Sequence, residues 1–382
     1  MTNLQNAIQT LQLNNKLVIL RSCGGSKQRE LLASLTQDYA KVDLSLPNLR
    51  LQEQQNPQLF AEGLRLPVYL ADLQCAPSLL SVLLSCKLTL GQIIASCSQS
   101  YYLEELAAQA DAGSVAFVEL PLQVADAFVR KPFAPQESYL QNLRGAEKRQ
   151  LVAAMLGERE VYSSWVRRVL QQDIMERTTV SDEVKFYRFL CAVASMAGCV
   201  VNYTILANNV GITAPTAKQW LQFLAGTGLV YLLPPVEHVA GKRLVKAPKV
   251  YFREAGAAAH LLQLYDGASL LQSVYFKNLY ENYVVSALRE SYLRWGQEPD
   301  FRFYRDSNNK EISLLVQAQG VLYPVMICQE TFSTNRLGKF FALLPGYAEE
   351  QGLQLGTGCM ITLGGECMQV SGGLWQINAD VL

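Results

Sequence analysis

Short apolar runs separated by helix-length intervals constrain the first third of this chain more than any other feature. They are Lys16-Leu-Val-Ile-Leu20, Tyr39 to Leu44, Leu66-Pro-Val-Tyr-Leu-Ala-Asp72, Gln92-Ile-Ile-Ala-Ser96 and Val115-Ala-Phe-Val-Glu-Leu120. Runs this short and this continuous predict an α/β domain with a parallel sheet covered on both faces. The first run ends in the small-residue turn Ser22-Cys-Gly-Gly-Ser26, and a helical stretch follows from Gln28 to Leu35.

From Tyr139 to Gly228 the spacing turns helical. Ile205 to Gly211 reads as a helix closed by glycine, and Thr213 caps a second helix through Lys218, Trp220 and Leu224. Val230-Tyr-Leu-Leu233 then begins a strand, stopped by Pro234-Pro235. Helix, turn, helix, strand is the order of a winged helix. The last third predicts a helix from Phe276 to Leu293. It also predicts strands at Lys249–Phe252, Phe301–Tyr304, Ile312–Val316 and Leu322–Ile327.

With 382 residues, two or three domains are expected. Lys plus Arg number 33 and Asp plus Glu 33, which argues against a wholly basic nucleic-acid surface but permits a local one. The nine cysteines form no CxxC pair and only two histidines accompany them, so no metal site is expected and the thiols read as small buried hydrophobes. The first residues lack a basic segment followed by an apolar run, and no apolar stretch is long enough to cross a bilayer. A soluble, cytoplasmic protein is expected.

The stretch Lys242-Arg-Leu-Val-Lys-Ala-Pro-Lys-Val-Tyr-Phe-Arg-Glu-Ala-Gly256 is the most specific pattern in the chain. Tyr280-Glu-Asn282, Tyr304-Arg305 before Lys310-Glu-Ile312, and the segment Trp165 to Asp173 accompany it. In these motifs and in segment order the chain resembles a prokaryotic family of AAA-like P-loop ATPases. Members carry a C-terminal domain of unknown function with a winged helix and a restriction-nuclease-like fold of the PD-(D/E)XK kind. The resemblance implies a P-loop domain over 1–135, a helical and winged-helix region over 136–240, and a nuclease-like domain over 241–382.

The chemistry that the resemblance implies is interrupted at several positions. The family writes its phosphate loop as G-P-R-x-V-G-K-T, with a lysine for the phosphates and a hydroxyl for magnesium. Here Gln28 stands at the lysine and Arg29 at the hydroxyl, with Lys27 one position early. Two readings of this turn remain. It is an ordinary glycine-rich bend, or an anion site built from Gly24, Gly25 and Lys27 or Arg29. The family's Asp-Glu pair after the third strand is replaced by Ala71 and Asp72, its Thr-Gly-Ser sensor by Ser96-Cys-Ser98, and its L-A-G-R arginine has no counterpart near Ala112-Gly-Ser114. In the nuclease-like part, Ser313, Met326 and Cys328 stand where the family has acid, acid and base, leaving Glu281 as the matching carboxylate. Glu281 reads as a helix anchor in preference to a catalytic group, and no histidine near Cys328 in sequence activates it as a nucleophile.

The expected function is therefore a non-catalytic scaffold or regulatory binding partner. The alternatives are a switch that holds nucleotide without turnover, and a DNA-binding protein. No cofactor is expected, with ATP or ADP the nucleotide such a fold would hold. A protein partner or self-association is expected, with DNA the alternative and no membrane. DNA would meet Thr213, Thr216, Lys218 and Gln219 on the second helix, and Lys242, Arg243, Lys246 and Lys249 would meet phosphates.

Overall fold

The computed structural model describes residues 2–22, 26–86, 89–98, 100–109, 114–121, 132–136, 139–140, 150–157, 159–170, 182–239, 241–330, 338, 341–370 and 374–382. The chain divides into two compact units. One comprises 1–131, 220–229 and 290–298; the other comprises 132–219, 230–289 and 299–382.

The first unit is built on β1 (Leu17–Arg21), β2 (Ala40–Asp43), β3 (Val68–Ala71), β4 (Ile93–Cys97) and β5 (Val115–Glu119), all pairing in parallel in the order β2-β3-β4-β1-β5. Alternation along the strands sends side chains to both faces. Leu17, Ile19, Val68, Leu70, Ile93 and Ala95 pack into one cluster with Leu79, Leu80 and Leu83 of the helix Pro77–Ser85. Val18, Leu20, Ile94 and Val118 pack into another, with Leu4 and Ile8 of the helix Thr2–Asn14 and Leu31 and Leu32 of the helix Ser26–Leu35. Both faces being buried explains why these strands read as continuous apolar runs. Proline opens the helices Pro47–Gln55, Pro57–Glu62 and Pro77–Ser85, where its missing N–H costs nothing.

In the second unit, Asn202 caps the helix Tyr203–Val210 by accepting from the Ile205 amide at 3.1 Å, and Gly211 ends it at φ +73°. Thr213 accepts from the Thr216 amide at 3.2 Å, the expected cap of the helix Ala214–Gly226, whose residues from Trp220 on belong to the first unit. β6 (Val230–Leu233) pairs antiparallel with β7 (Lys249–Phe252).

Among the described residues a seven-stranded sheet runs in the order β13-β14-β12-β10-β9-β8, with β11 on β10. Its strands are β8 (Asp300–Arg305), β9 (Glu311–Ala318), β10 (Val321–Cys328), β11 (Gln354–Leu355), β12 (Cys359–Thr362), β13 (Met368–Gln369) and β14 (Trp375–Asn378). Sequence reading reaches β8 to β10 but not β11 to β14. β11 and β13 have two residues each, and β12 and β14 are buried throughout, so none shows a period of two.

Candidate functional site

The carboxyl ends of parallel strands are where open α/β sheets hold ligands. At the end of β1 the side chain of Gln28 is completely buried. Its Nε2 donates to the carbonyls of Leu120 at 3.0 Å and Pro121 at 3.3 Å. Its Oε1 accepts from the Ser22 hydroxyl at 3.1 Å. A neutral amide thus satisfies both of its ends inside the protein, at the position where the family resemblance puts a phosphate lysine. Arg29 is exposed, while Gly24, Gly25 and the Lys27 side chain lie outside the described residues.

At the ends of β3 and β4 the polar groups also bind one another. Asp72 adopts a left-handed conformation (φ 56°), which aspartate tolerates better than most residues. Gln74 Nε2 donates to Asp72 Oδ1 at 2.7 Å and to the Ser98 hydroxyl at 2.9 Å. The Ser96 hydroxyl lies 2.8 Å from the Tyr69 hydroxyl and accepts from the Asp72 amide at 3.4 Å. Burial pushes the Tyr69 phenol up, against the opposing Ser96 hydrogen bond. Ala71 brings no polar side chain, and Ala112 and Gly113 fall outside the described residues.

The second unit holds a charged cluster that sequence reasoning divided among unrelated roles. Lys249, on β7, is 2 % exposed, so it is not available to a nucleic-acid phosphate; that expectation is corrected. Its Nζ lies 2.7 Å from Glu281 Oε1, in contact with Glu311 Oε1, and 5.4 Å from the centre of the Phe303 ring. The Tyr251 hydroxyl also donates to Glu281 Oε1, at 2.7 Å. Arg305 Nη1 donates to Glu311 Oε2 at 3.3 Å. Burial opposes the charge of Lys249, but Glu281 and then Glu311 outweigh it and hold its pKa above the ordinary value. Burial and then Glu281 push the Tyr251 phenol well up.

Glu281 therefore does not stand alone: Glu311 shares its lysine. The sequence signal was present, because Lys249 and Tyr251 sit two apart on a strand and so point to the same face. Next to Glu281, Asn282 accepts from the Phe252 amide and donates to the Phe252 carbonyl, both at 2.7 Å. Glu254 accepts from the Tyr162 hydroxyl, and any Cβ on Gly256 would run into the Tyr162 ring and the Leu156 carbonyl. Asp306, 4 % exposed, orders the turn before β9 by accepting from the amides of Asn308 at 2.9 Å and Lys310 at 3.0 Å. It also accepts from the hydroxyl of Tyr304, whose pKa is pushed up to about 12 by burial and then by this bond. The most specific motifs of the chain are thus the two sides of shared contacts.

Ser313, Met326 and Cys328 are all buried. The Ser313 hydroxyl accepts from the Ile327 amide at 3.1 Å, so it is spent between β9 and β10. Met326 and Cys328 lie in an apolar cluster with Tyr304, Ile312, Leu344 and Met360. Thr213, Lys218, Gln219, Lys242, Arg243 and Lys246 are exposed and Thr216 is half-buried, its hydroxyl 2.8 Å from that of Thr213. The strip from Arg243 to Val245 pairs with the chain from Arg305 to Ser307. Among the described residues no group of three or more histidine, cysteine or acidic side chains gathers as for a metal ion, and no helix is long and apolar enough to cross a membrane.

Residues 150–267 match a family model described as a domain of unknown function (DUF8612), and residues 276–379 match another, also a domain of unknown function (DUF4143). Lys249 and Tyr251 fall in the first segment, Glu281 and Glu311 in the second. A search of curated proteins finds no match. Among solved structures, the chain is similar to the Walker-type ATPase PABY2304 of Pyrococcus abyssi at 11 % identity and a TM-score of 0.38, over 68 % of this chain and 94 % of that one.

Proposed function

We propose that this protein is a non-catalytic relative of AAA-like ATPases with a nuclease-like C-terminal domain, acting as a scaffold or regulatory binding partner. The observation that carries the reading is Gln28. An amide buried against the Leu120 and Pro121 carbonyls offers no charge to a phosphate, and moving it would break both of these bonds. Ala71 removes the metal-side carboxylate of the implied pair, and Asp72 is engaged by Gln74. In the C-terminal part, Ser313 and Met326 supply backbone bonding and packing where the implied nuclease needs acids.

The test is a magnesium-dependent ATPase assay on purified protein beside a heat-killed control. No turnover above the control is expected. Turnover that disappears in a Lys27→Ala variant would overturn the reading, because it would mean that a shifted lysine still serves the phosphates.

A second reading is favoured by one observation. Lys218 and Gln219 are exposed on the helix Ala214–Gly226, and Lys242, Arg243 and Lys246 are exposed on the strip after β6. In a winged helix these are the places that face DNA.

A further inference from the structure

We propose that Lys249 is a built-in counter-cation: it neutralises the Glu281–Glu311 centre from within, so the centre stays assembled without a divalent metal. Two carboxylates converge on one point from different elements, Glu281 from the helix Phe276–Leu293 and Glu311 from the first position of β9. Bringing two such groups together without a cation is strongly unfavourable, since each repels the other and both lose water. The usual solutions are a hard metal ion held by oxygen ligands, or a protein cation. Here the cation is an ammonium whose side chain is 2 % exposed, against 12 % for Glu281 and 26 % for Glu311.

Further donors to both carboxylates come from the chain as well. Tyr251 donates to Glu281 Oε1, and Arg305 donates to Glu311 Oε2. The Phe303 ring lies near the ammonium on a further side. Lys249 and Arg305 balance Glu281 and Glu311 charge for charge. This inference concerns a centre separate from Gln28 and does not depend on whether nucleotide is bound.

Removing the ammonium while keeping its apolar stem should leave the two carboxylates in need of a cation. The experiment is thermal denaturation of the parent and of Lys249→Met, each in chelator and in millimolar Mn2+. The parent is expected to melt at the same temperature in both buffers. Lys249→Met should melt well below the parent in chelator and recover at least half of that loss in Mn2+. Adding Glu281→Gln and Glu311→Gln to the Lys249→Met chain should abolish the Mn2+ response, which a merely structural lysine would not predict. Three results would overturn the proposal. They are a parent stabilised by Mn2+ in a manner that Glu281→Gln removes, a Lys249→Met chain indifferent to Mn2+, or one unfolded at every Mn2+ concentration.

Discussion

Lys249 and Glu281 show how much a single residue can hold in place. Glu281 accepts from both Lys249 and Tyr251, so truncating it takes the acceptor from a buried hydroxyl and leaves the buried ammonium with Glu311 alone. Breaking a buried pair from one side costs about 3–5 kcal/mol. Glu281→Ala should lower stability by that order in chemical denaturation, and Glu281→Gln by less, since the amide oxygen still accepts. The same residues set an alkaline limit. Lys249 and Tyr251 both have folded pKa values raised above their ordinary ones, of about 10.4 and about 10. The folded state therefore binds more protons than the unfolded state once pH passes those ordinary values. The stabilisation is complete below about pH 10 and is lost as pH rises through the folded values. Melting curves between about pH 9 and 12 should fall more steeply for the parent than for a Lys249→Met, Tyr251→Phe double variant. Equal slopes would mean that other groups set the alkaline limit.

At the scale of the element, β9 and β10 form a packing unit. Ser313 bonds to the β10 backbone, while Met326 and Cys328 fill the cluster around Tyr304, Ile312 and Leu344. Installing the implied nuclease residues together, Ser313→Asp, Met326→Glu and Cys328→Lys, would put three charges into sites under 10 % exposed. Such burial costs several kcal/mol per ion unless pairing offsets it. The triple variant should be much less stable than the parent in metal-free buffer. A variant as stable as the parent would sink the idea that this pair of strands is kept for packing. The helix Ala255–Leu261 gives a sharper geometric test. Gly256→Ala would press its methyl against the Leu156 carbonyl and the Tyr162 ring, and a backbone oxygen cannot swing aside as a flexible side chain can. Overpacking of this kind costs about 1–3 kcal/mol, so its denaturation midpoint should drop while Gly346→Ala, in the helix Leu344–Glu350 with open space around it, serves as a comparison for added bulk.

For the whole molecule, equal numbers of positive and negative side chains mean that any affinity for DNA must come from a local face. If the exposed Lys242, Arg243 and Lys246 carry such an affinity, retention on heparin should weaken steeply with salt and be lost in Lys242→Glu, Arg243→Glu. Retention unchanged by those charge reversals would remove the second reading and leave the scaffold. The parallel strands themselves, the glycine end at Gly211, the cap at Thr213 and the helix Phe276–Leu293 were legible along the chain, because each depends on residues within one turn or one strand of each other. What Gln28 does was not legible, since its acceptors at Leu120 and Pro121 lie more than ninety positions away. Lys249 looked like a surface cation by its basic neighbours, and only the folding of β7 against the carboxylates of Glu281 and Glu311 made it a buried one. Local sequence determined which segments are helices and strands, because propensity, capping and side-chain period act over a few residues. Tertiary structure alone decided which polar groups meet, because the cost of burying a charge is set by partners that chain distance does not reveal.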